Sequence, residues 1–213
     1  MNFCADQLLL YAVTDRAWVG RQTLLEQIED ALRGGVTMVQ LREKGLPEDA
    51  FISEAMEVGA LCRRYGVPLF IDDNVDVALK SGAAGVHVGI EDTPVAEIRA
   101  RAGRDFIIGA TAKTVAQARA AQAAGADYLG VGAVFPSPTK KNAVRITAAQ
   151  LREICASVTI PAVAIGGISL DNIRELRGGG MRGVAVISAL FGADDIAGAA
   201  RTLKQEALSA VTR

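Results

Sequence analysis

Histidine occurs once in this chain of 213 residues, at position 87. A zinc centre of several imidazoles is therefore excluded, and a Ser–His or Cys–His nucleophile pair would have to use this one side chain. Cysteine is sparse as well. Cys4, Cys62 and Cys155 are odd in number, far apart and in no C-x-x-C pair, the pattern of free thiols in a reducing cytoplasm. Aromatic residues make up only 5% of the chain, so the core is expected to be built from Ala, Val, Leu and Ile. Neither a G-x-x-x-x-G-K-[ST] loop nor a G-x-G-x-x-G opening a helix is present, so P-loop and Rossmann readings lack their signatures. No apolar run approaches the ~18 residues that span a bilayer. Met1 to Leu10 carries Asp6 and does not read as a signal peptide, which gives a cytoplasmic expectation. The formal net charge is −1 with no long basic run, which argues against nucleic acid or an anionic membrane as partner.

What is present is a regular alternation. Twenty-two glycines against six prolines suit many tight connections, and the length suits one domain of roughly 200–250 residues. Apolar runs of strand length lie at Leu8–Val13, Val36–Leu41, Val67–Ile71, Gly85–Val88, Phe106–Ile108, Asp127–Val134, Pro161–Ile165 and Gly183–Ile187. Helical periodicity fills the intervals: Arg21–Arg33, Glu48–Tyr65, a short helix ending at Lys80, one opening near Pro94, Thr114–Ala124, Thr147–Ser157, Ser169 or Leu170 to Leu176, and Asp194–Leu208. Continuous apolar strands joined through helices are parallel and buried on both faces. A doubly wound open sheet is the rival. Eight units, with Gly-led strand entries repeating along the chain, favour a single closed (β/α)8 TIM barrel spanning residues 1–213.

In such a barrel the active site is built from the segments that follow the strands. Those segments hold Arg42, Glu43 and Lys44, then Asp72 and Asp73, then Asp92, then Thr111 and Lys113. Ser137, Thr139, Lys140 and Lys141 follow strand six, Gly166-Gly167 strand seven, and Ser188 strand eight. The opposite ends carry mostly Gly and Ala. Asp73 and Asp92 on adjacent strand ends can converge on a hard divalent cation such as Mg2+; the alternatives are a helix N-cap at Asp73 and a solvated loop at Asp92. The amides of Gly166-Gly167 and those near Ser188 form a candidate phosphate cup. Arg42, Lys44 and Lys140 suit a ligand with several negative charges. On an alternating strand His87 points either into the barrel or outward toward a helix, and it is either a satisfied core histidine or a substrate contact.

YAVTDR at Tyr11–Arg16, QLREK at Gln40–Lys44, Asp73, GVHVG with Glu91-Asp92, GVGAVFPSPTKK, AIGGI and VISAL occur here in the order and spacing of thiamine phosphate synthases, which the chain resembles over nearly its whole length. The resemblance implies a coupling of 4-amino-5-hydroxymethyl-2-methylpyrimidine diphosphate to a thiazole phosphate, with or without a carboxylate, releasing pyrophosphate. It implies that Gln40, Arg42 and Lys44 hold the pyrimidine diphosphate, within a run that also brings Leu41 and Glu43 to the substrate, with Asp72 beside them. Asp73 and Asp92 would hold Mg2+. Thr111 would contact the pyrimidine, Ser137, Pro138 and Thr139 the thiazole phosphate, Gly167, Ile187 and Ser188 its phosphate, and Lys140 the diphosphate. Arg42, Lys44, Thr111 and Lys140 are the implied catalytic set. Asp72 departs from a common Asn, Ile90 from a usual Gln and Lys113 from a frequent His. The partners implied are small phosphorylated substrates, with a homo-oligomer left open. The other readings are a thiazole tautomerase-like barrel and a non-catalytic barrel that binds thiamine phosphate.

Overall fold

The computed structural model of the protein describes residues 3–20, 22–137 and 144–212. Among these, β1 (Leu10–Val13), β2 (Met38–Leu41), β3 (Leu69–Asp72), β4 (Gly85–Val88), β5 (Ile107–Ala112), β6 (Tyr128–Gly132), β7 (Ala162–Ile165) and β8 (Gly183–Val186) pair in chain order. Every pairing is parallel, and β8 returns to β1, with Leu10 opposite Val184. The sheet is a closed barrel, which removes the open-sheet alternative. Helices α1 (Leu24–Arg33), α2 (Glu48–Arg64), α3 (Val75–Ser81), α4 (Val95–Ala102), α5 (Val115–Ala123), α6 (Ala148–Ala156), α7 (Ser188–Phe191) and α8 (Ile196–Val211) follow the strands. No described helix is long and apolar enough to cross a membrane.

The helix starts are written in local chemistry. Thr23 and Glu26 form a reciprocal capping box on α1, Thr114 caps α5, and Thr147 caps α6 as its position suggests. Three expectations are corrected. The seventh crossover holds only a 3-10 turn, Ile173–Leu176, in place of a helix from Ser169 or Leu170. There the Asn172 side chain captures the preceding backbone with both ends of its amide, accepting from Ser169 N at 2.9 Å and donating to Gly167 O at 2.9 Å, so the segment closes as a turn. Strand β5 runs on to Ala112, which makes Thr111 a strand residue, not a loop residue. The last helix is capped by Asp195 and is preceded by the separate short helix α7.

The barrel wall separates two apolar clusters. The outer one, between strands and helices, is aliphatic as the composition suggests, with Leu10, Val39, Leu41, Ile71 and Val86 against residues such as Ile28 and Leu61. The inner one departs from that expectation. Tyr11, Phe70 and Tyr128 fill the barrel interior together with Met38 and Val163. Their rings meet edge to face, Phe70 and Tyr128 at 5.7 Å between centroids and Tyr11 and Tyr128 at 6.2 Å. A scarce residue class is thus concentrated where one ring fills the space of several aliphatic side chains.

Bulk on one strand demands its absence on the next. Gly109 lies in register between His87 on β4 and Tyr128 on β6. A Cβ at Gly109 would lie 2.1 Å from Tyr128 Cζ and 2.5 Å from His87 Nδ1, and one at Gly130 would lie 2.8 Å from His87 Cε1. With Tyr128 wholly buried, neither ring has room to retreat. Gly109→Ala is therefore expected to destabilise the fold by roughly 3 kcal/mol through overpacking, lowering the melting temperature by about 6–12 °C. Gly20→Ala, where a Cβ meets open space, is expected to stay within about 0.5 kcal/mol of the parent protein when both variants are titrated with urea.

Candidate active site

Alternation along the strands sends every second side chain inward, and at the carboxyl ends these are polar. Gln40 and then Arg42 follow Met38 along β2, and Asp72 follows Phe70 on β3. The barrel thus delivers Gln40, Arg42, Lys44, Asp72, Asp73 and Thr111 to one rim. Arg42 Nη1 pairs with Asp15 Oδ2 at 3.1 Å and its Nε lies 3.5 Å from Asp72 Oδ2. Lys44 Nζ sits 3.1 Å from Asp72 Oδ2 and also bonds the Asp73 carboxylate. Burial works against the Lys44 charge, yet its bonds to Asp73 and Asp72 prevail and its pKa is raised. The main chain at Arg42 is pinned too, its N–H donating to the buried Thr14 hydroxyl at 2.9 Å.

The acidic side of the rim is under mutual stress. Burial, and then the adjacent Asp73 charge, push Asp72 up to about 6 against the pull of Lys44 and Arg42. Asp73 adopts φ 60°, the left-handed region that only a few non-glycine residues occupy, while its N–H donates to His87 O at 2.9 Å. Asn74, not Asp73, caps α3, accepting from Val77 N at 2.9 Å. The Asp73 carboxylate is thereby released from capping and meets Asp92, with which it shares a hydrogen bond. Burial and that bond raise Asp92, while Asp73 is lowered, its burial outweighed by Lys44 and Asp92. Asp92 also accepts from Gly89 N at 2.7 Å. Two carboxylates in contact hold either a shared proton or a cation. Among the described residues no three or more His, Cys, Asp or Glu gather in a metal-holding group; the rim offers this pair.

Beyond β7, Gly166 and Gly167 take φ 103° and 64°. Their lack of side chains is required by contact: a Cβ at Gly167 would lie 2.1 Å from Pro136 O. Val134 N and Phe135 N donate to Ile165 O and Gly166 O at 3.0 and 2.9 Å, so the segments after β6 and β7 lie side by side. Ser137 is half-buried at the end of the first. Ile187 packs against the inner cluster, and Ser188 opens α7, where Leu190 N and Phe191 N both donate to Ile187 O, at 3.1 and 2.9 Å. Pro138, Thr139, Lys140 and Lys141 lie outside the described residues.

Two members of the QLREK run point elsewhere. The Leu41 side chain is sealed in the outer core, leaving its backbone at the rim. The Glu43 side chain is 3% exposed and accepts from Arg16 Nε at 2.8 Å, beside Glu54, which Arg16 also binds. Two residues that shape the rim, Asp15 and His87, were given no settled role by the sequence. Asp15 anchors Arg42 while its other oxygen caps a 3-10 turn by accepting from Ala17 N. His87 points inward, its Nδ1 3.1 Å from Tyr128 Oη and its Nε2 3.1 Å from Thr111 Oγ1. Burial lowers its pKa to about 4 despite the Asp73 charge, so the imidazole is neutral at physiological pH. Alternation along β4 left the inward and outward orientations of His87 both open, and the Tyr128 contact depends on a strand two positions away.

Residues 10–190 match the family model described as thiamine monophosphate synthase. Thiamine-phosphate synthase 2 of Streptococcus pneumoniae serotype 4 is 46% identical over 191 residues, covering 90% of this chain and 91% of that protein. The thiamine-phosphate synthase of Lacticaseibacillus paracasei is 46% identical over 200 residues, 94% of each chain. Among solved structures, thiamine phosphate pyrophosphorylase from Pyrococcus furiosus superposes with a TM-score of 0.90 at 39% identity, over 98% of this chain and 99% of that one.

The Asp72 shift has a definite sign. Its folded pKa, about 6, lies above the ordinary 3.8. The unfolded chain therefore releases this proton first, and folding stability falls as pH rises from about 4 through about 6. In chelator, Asp72→Asn is expected to gain about 2 kcal/mol on the parent protein between pH 4 and pH 7. Urea unfolding at both pH values measures this, and a pH-independent difference would contradict the assigned shift.

Proposed function

The chain belongs to the thiamine monophosphate synthase family, and we propose that it couples 4-amino-5-hydroxymethyl-2-methylpyrimidine diphosphate to a hydroxyethylthiazole phosphate, releasing pyrophosphate. The observation that carries this reading is the rim itself. Two cations, Arg42 and Lys44, are held there by carboxylates at 3.1 to 3.5 Å, next to a carboxylate pair that shares a hydrogen bond. Such a surface is complementary to a polyanion accompanied by a divalent cation. Asp73 and Asp92 are hard oxygen donors, and their enforced closeness fits Mg2+, which takes one or two carboxylates and fills its shell with water and phosphate oxygens. When bound there, Mg2+ supplies positive charge to the diphosphate.

In this reading the C–O bond between the pyrimidine methylene and the diphosphate breaks, and the electron pair leaves with pyrophosphate. The aminopyrimidine delocalises the resulting cation, and the thiazole nitrogen closes the new C–N bond. The protein then needs no nucleophile and no strong base. Arg42 and Lys44 exchange their carboxylate partners for diphosphate oxygens and stabilise the charge that develops on departure. Gln40 and Thr111 hold the pyrimidine ring, and the Leu41–Glu43 backbone carries Arg42 and Lys44 into place. Ser137, the Gly166-Gly167 segment, Ile187 and Ser188 are proposed to seat the thiazole phosphate, and their rigid backbone supplies proximity. The same proposal gives Pro138 and Thr139 to the thiazole side and Lys140 to the diphosphate.

Purified protein given both substrates is expected to release pyrophosphate with Mg2+ and to stop in EDTA; silence with Mg2+ present would overturn the reading. Asp92→Ala is expected to cut kcat by about 10²-fold or more, with melting temperature close to that of the parent. Near-normal turnover in that variant would remove Asp92 from the proposed metal pair.

A further inference from the structure

A single thread of hydrogen bonds crosses the barrel interior and joins two of the residues given to the pyrimidine ring. Gln40 Nε2 donates to Tyr11 Oη at 2.7 Å, Tyr11 Oη lies 3.0 Å from Tyr128 Oη, Tyr128 Oη 3.1 Å from His87 Nδ1, and His87 Nε2 3.1 Å from Thr111 Oγ1. Its inner members are dry: Tyr11 is 1%, Tyr128 0% and His87 8% exposed. Glycines 109 and 130 leave the space that the Tyr128 and His87 rings require.

The direction of the protons along this thread follows from valence. A tyrosine hydroxyl has one proton to give. Tyr11 Oη accepts from Gln40, and Tyr128 is the acceptor that the described contacts offer its proton. Tyr128, having accepted, donates to His87 Nδ1. The neutral imidazole then carries its proton on Nε2 and donates to Thr111 Oγ1. The Thr111 hydroxyl proton is thereby turned away from His87, toward the rim. At the other end Gln40 gives one N–H of its amide to Tyr11, which fixes the orientation of that amide and leaves Oε1 and the second N–H outside the thread. Reversal with the same Gln40 orientation would strand the Tyr11 proton in a dry interior, a buried unsatisfied donor.

We propose that Tyr11, Tyr128 and His87 are positioning residues that lock Gln40 and Thr111 into one polarity. Thr111 is held as a donor to a ring nitrogen, and Gln40 Oε1 as an acceptor for an exocyclic amine. An aminopyrimidine carries that pair of groups, and a pyrimidine with a carbonyl in place of the amine does not. This inference rests on the coupling reaction proposed above for the identity of the ring, but the thread itself is independent of it.

Because His87 is the only histidine, protein made without an affinity tag and labelled with 15N-histidine gives one imidazole in its NMR spectrum. The expected spectrum shows Nε2 protonated and Nδ1 unprotonated. An Nδ1–H tautomer would mean that Gln40 presents its amide the other way round and that the thread runs in reverse, which overturns the proposal. This readout needs no turnover, so it stands or falls separately from the synthase reading. In steady-state kinetics, Tyr128→Phe is expected to raise KM for the pyrimidine diphosphate about tenfold, while KM for the thiazole phosphate changes by less than about twofold. In a Thr111→Val background the same substitution is expected to add nothing. Equal rises for both substrates, or full additivity in the double variant, would reduce Tyr128 to a packing residue. Tyr11→Phe supplies a second arm: it breaks the link to Gln40 but keeps the Tyr128–His87 bond, so the Nε2–H tautomer is expected to persist, and its loss would overturn the order of donors.

Discussion

Closing eight short parallel strands into a barrel places every second side chain in an interior that water does not fill, and the rest of this molecule is arranged around that constraint. An apolar filling satisfies it at the bottom and middle of the barrel. Near the carboxyl ends the interior must become polar, because the ligand-facing rim begins there. The transition is made by Tyr11 and Tyr128, whose rings belong to the inner core and whose hydroxyls belong to a polar thread. Amphipathic rings suit such a boundary, with one end packed and the other hydrogen-bonded. The cost falls on neighbouring strands, where Gly109 and Gly130 forgo a side chain so that the rings fit.

The rim follows a second rule: its gathered charges satisfy one another. Arg42 and Lys44 rest on Asp15, Asp72 and Asp73, while Asp73 and Asp92 share a hydrogen bond. On the proposed reading, binding a polyanion exchanges these partners for phosphate oxygens. Asp72 is the member under most strain, since burial and the Asp73 charge both oppose its ionisation. An asparagine at that position would relieve that opposition and lose an ionic partner for Lys44. The left-handed backbone at Asp73 is the local counterpart of the same arrangement. It turns the carboxylate toward Asp92 and leaves capping of α3 to Asn74.

Much of this was legible along the chain because its signals are local. Apolar runs of strand length, helical spacing between them and caps such as Thr147 depend on neighbours a few residues away, and they led to the closed barrel. The strand-end positions of Arg42, Lys44, Asp72, Asp73 and Asp92 were legible for the same reason: in a parallel barrel the carboxyl ends share one face. The missing seventh helix was not legible, because Asn172 redirects its hydrogen bonds to nearby backbone and overrides the helical period. Glu43 looked equivalent to its charged neighbours, yet it is turned onto Arg16, a residue 27 positions earlier.

What remained for the folded molecule to settle was partnership across strands. Composition suggested an aliphatic core; closure created an interior in which the three aromatic rings Tyr11, Phe70 and Tyr128 converge. Nothing in the residues around Tyr11 indicates that its hydroxyl meets Tyr128, 117 positions away. Nor do the residues near His87 indicate that both ring nitrogens are occupied from β5 and β6. Periodicity along a strand tells which side a residue faces, because that depends on its own backbone. Which atom it meets there depends on the stagger of the strands and on the volume its neighbours leave free, and both exist only once the barrel has closed.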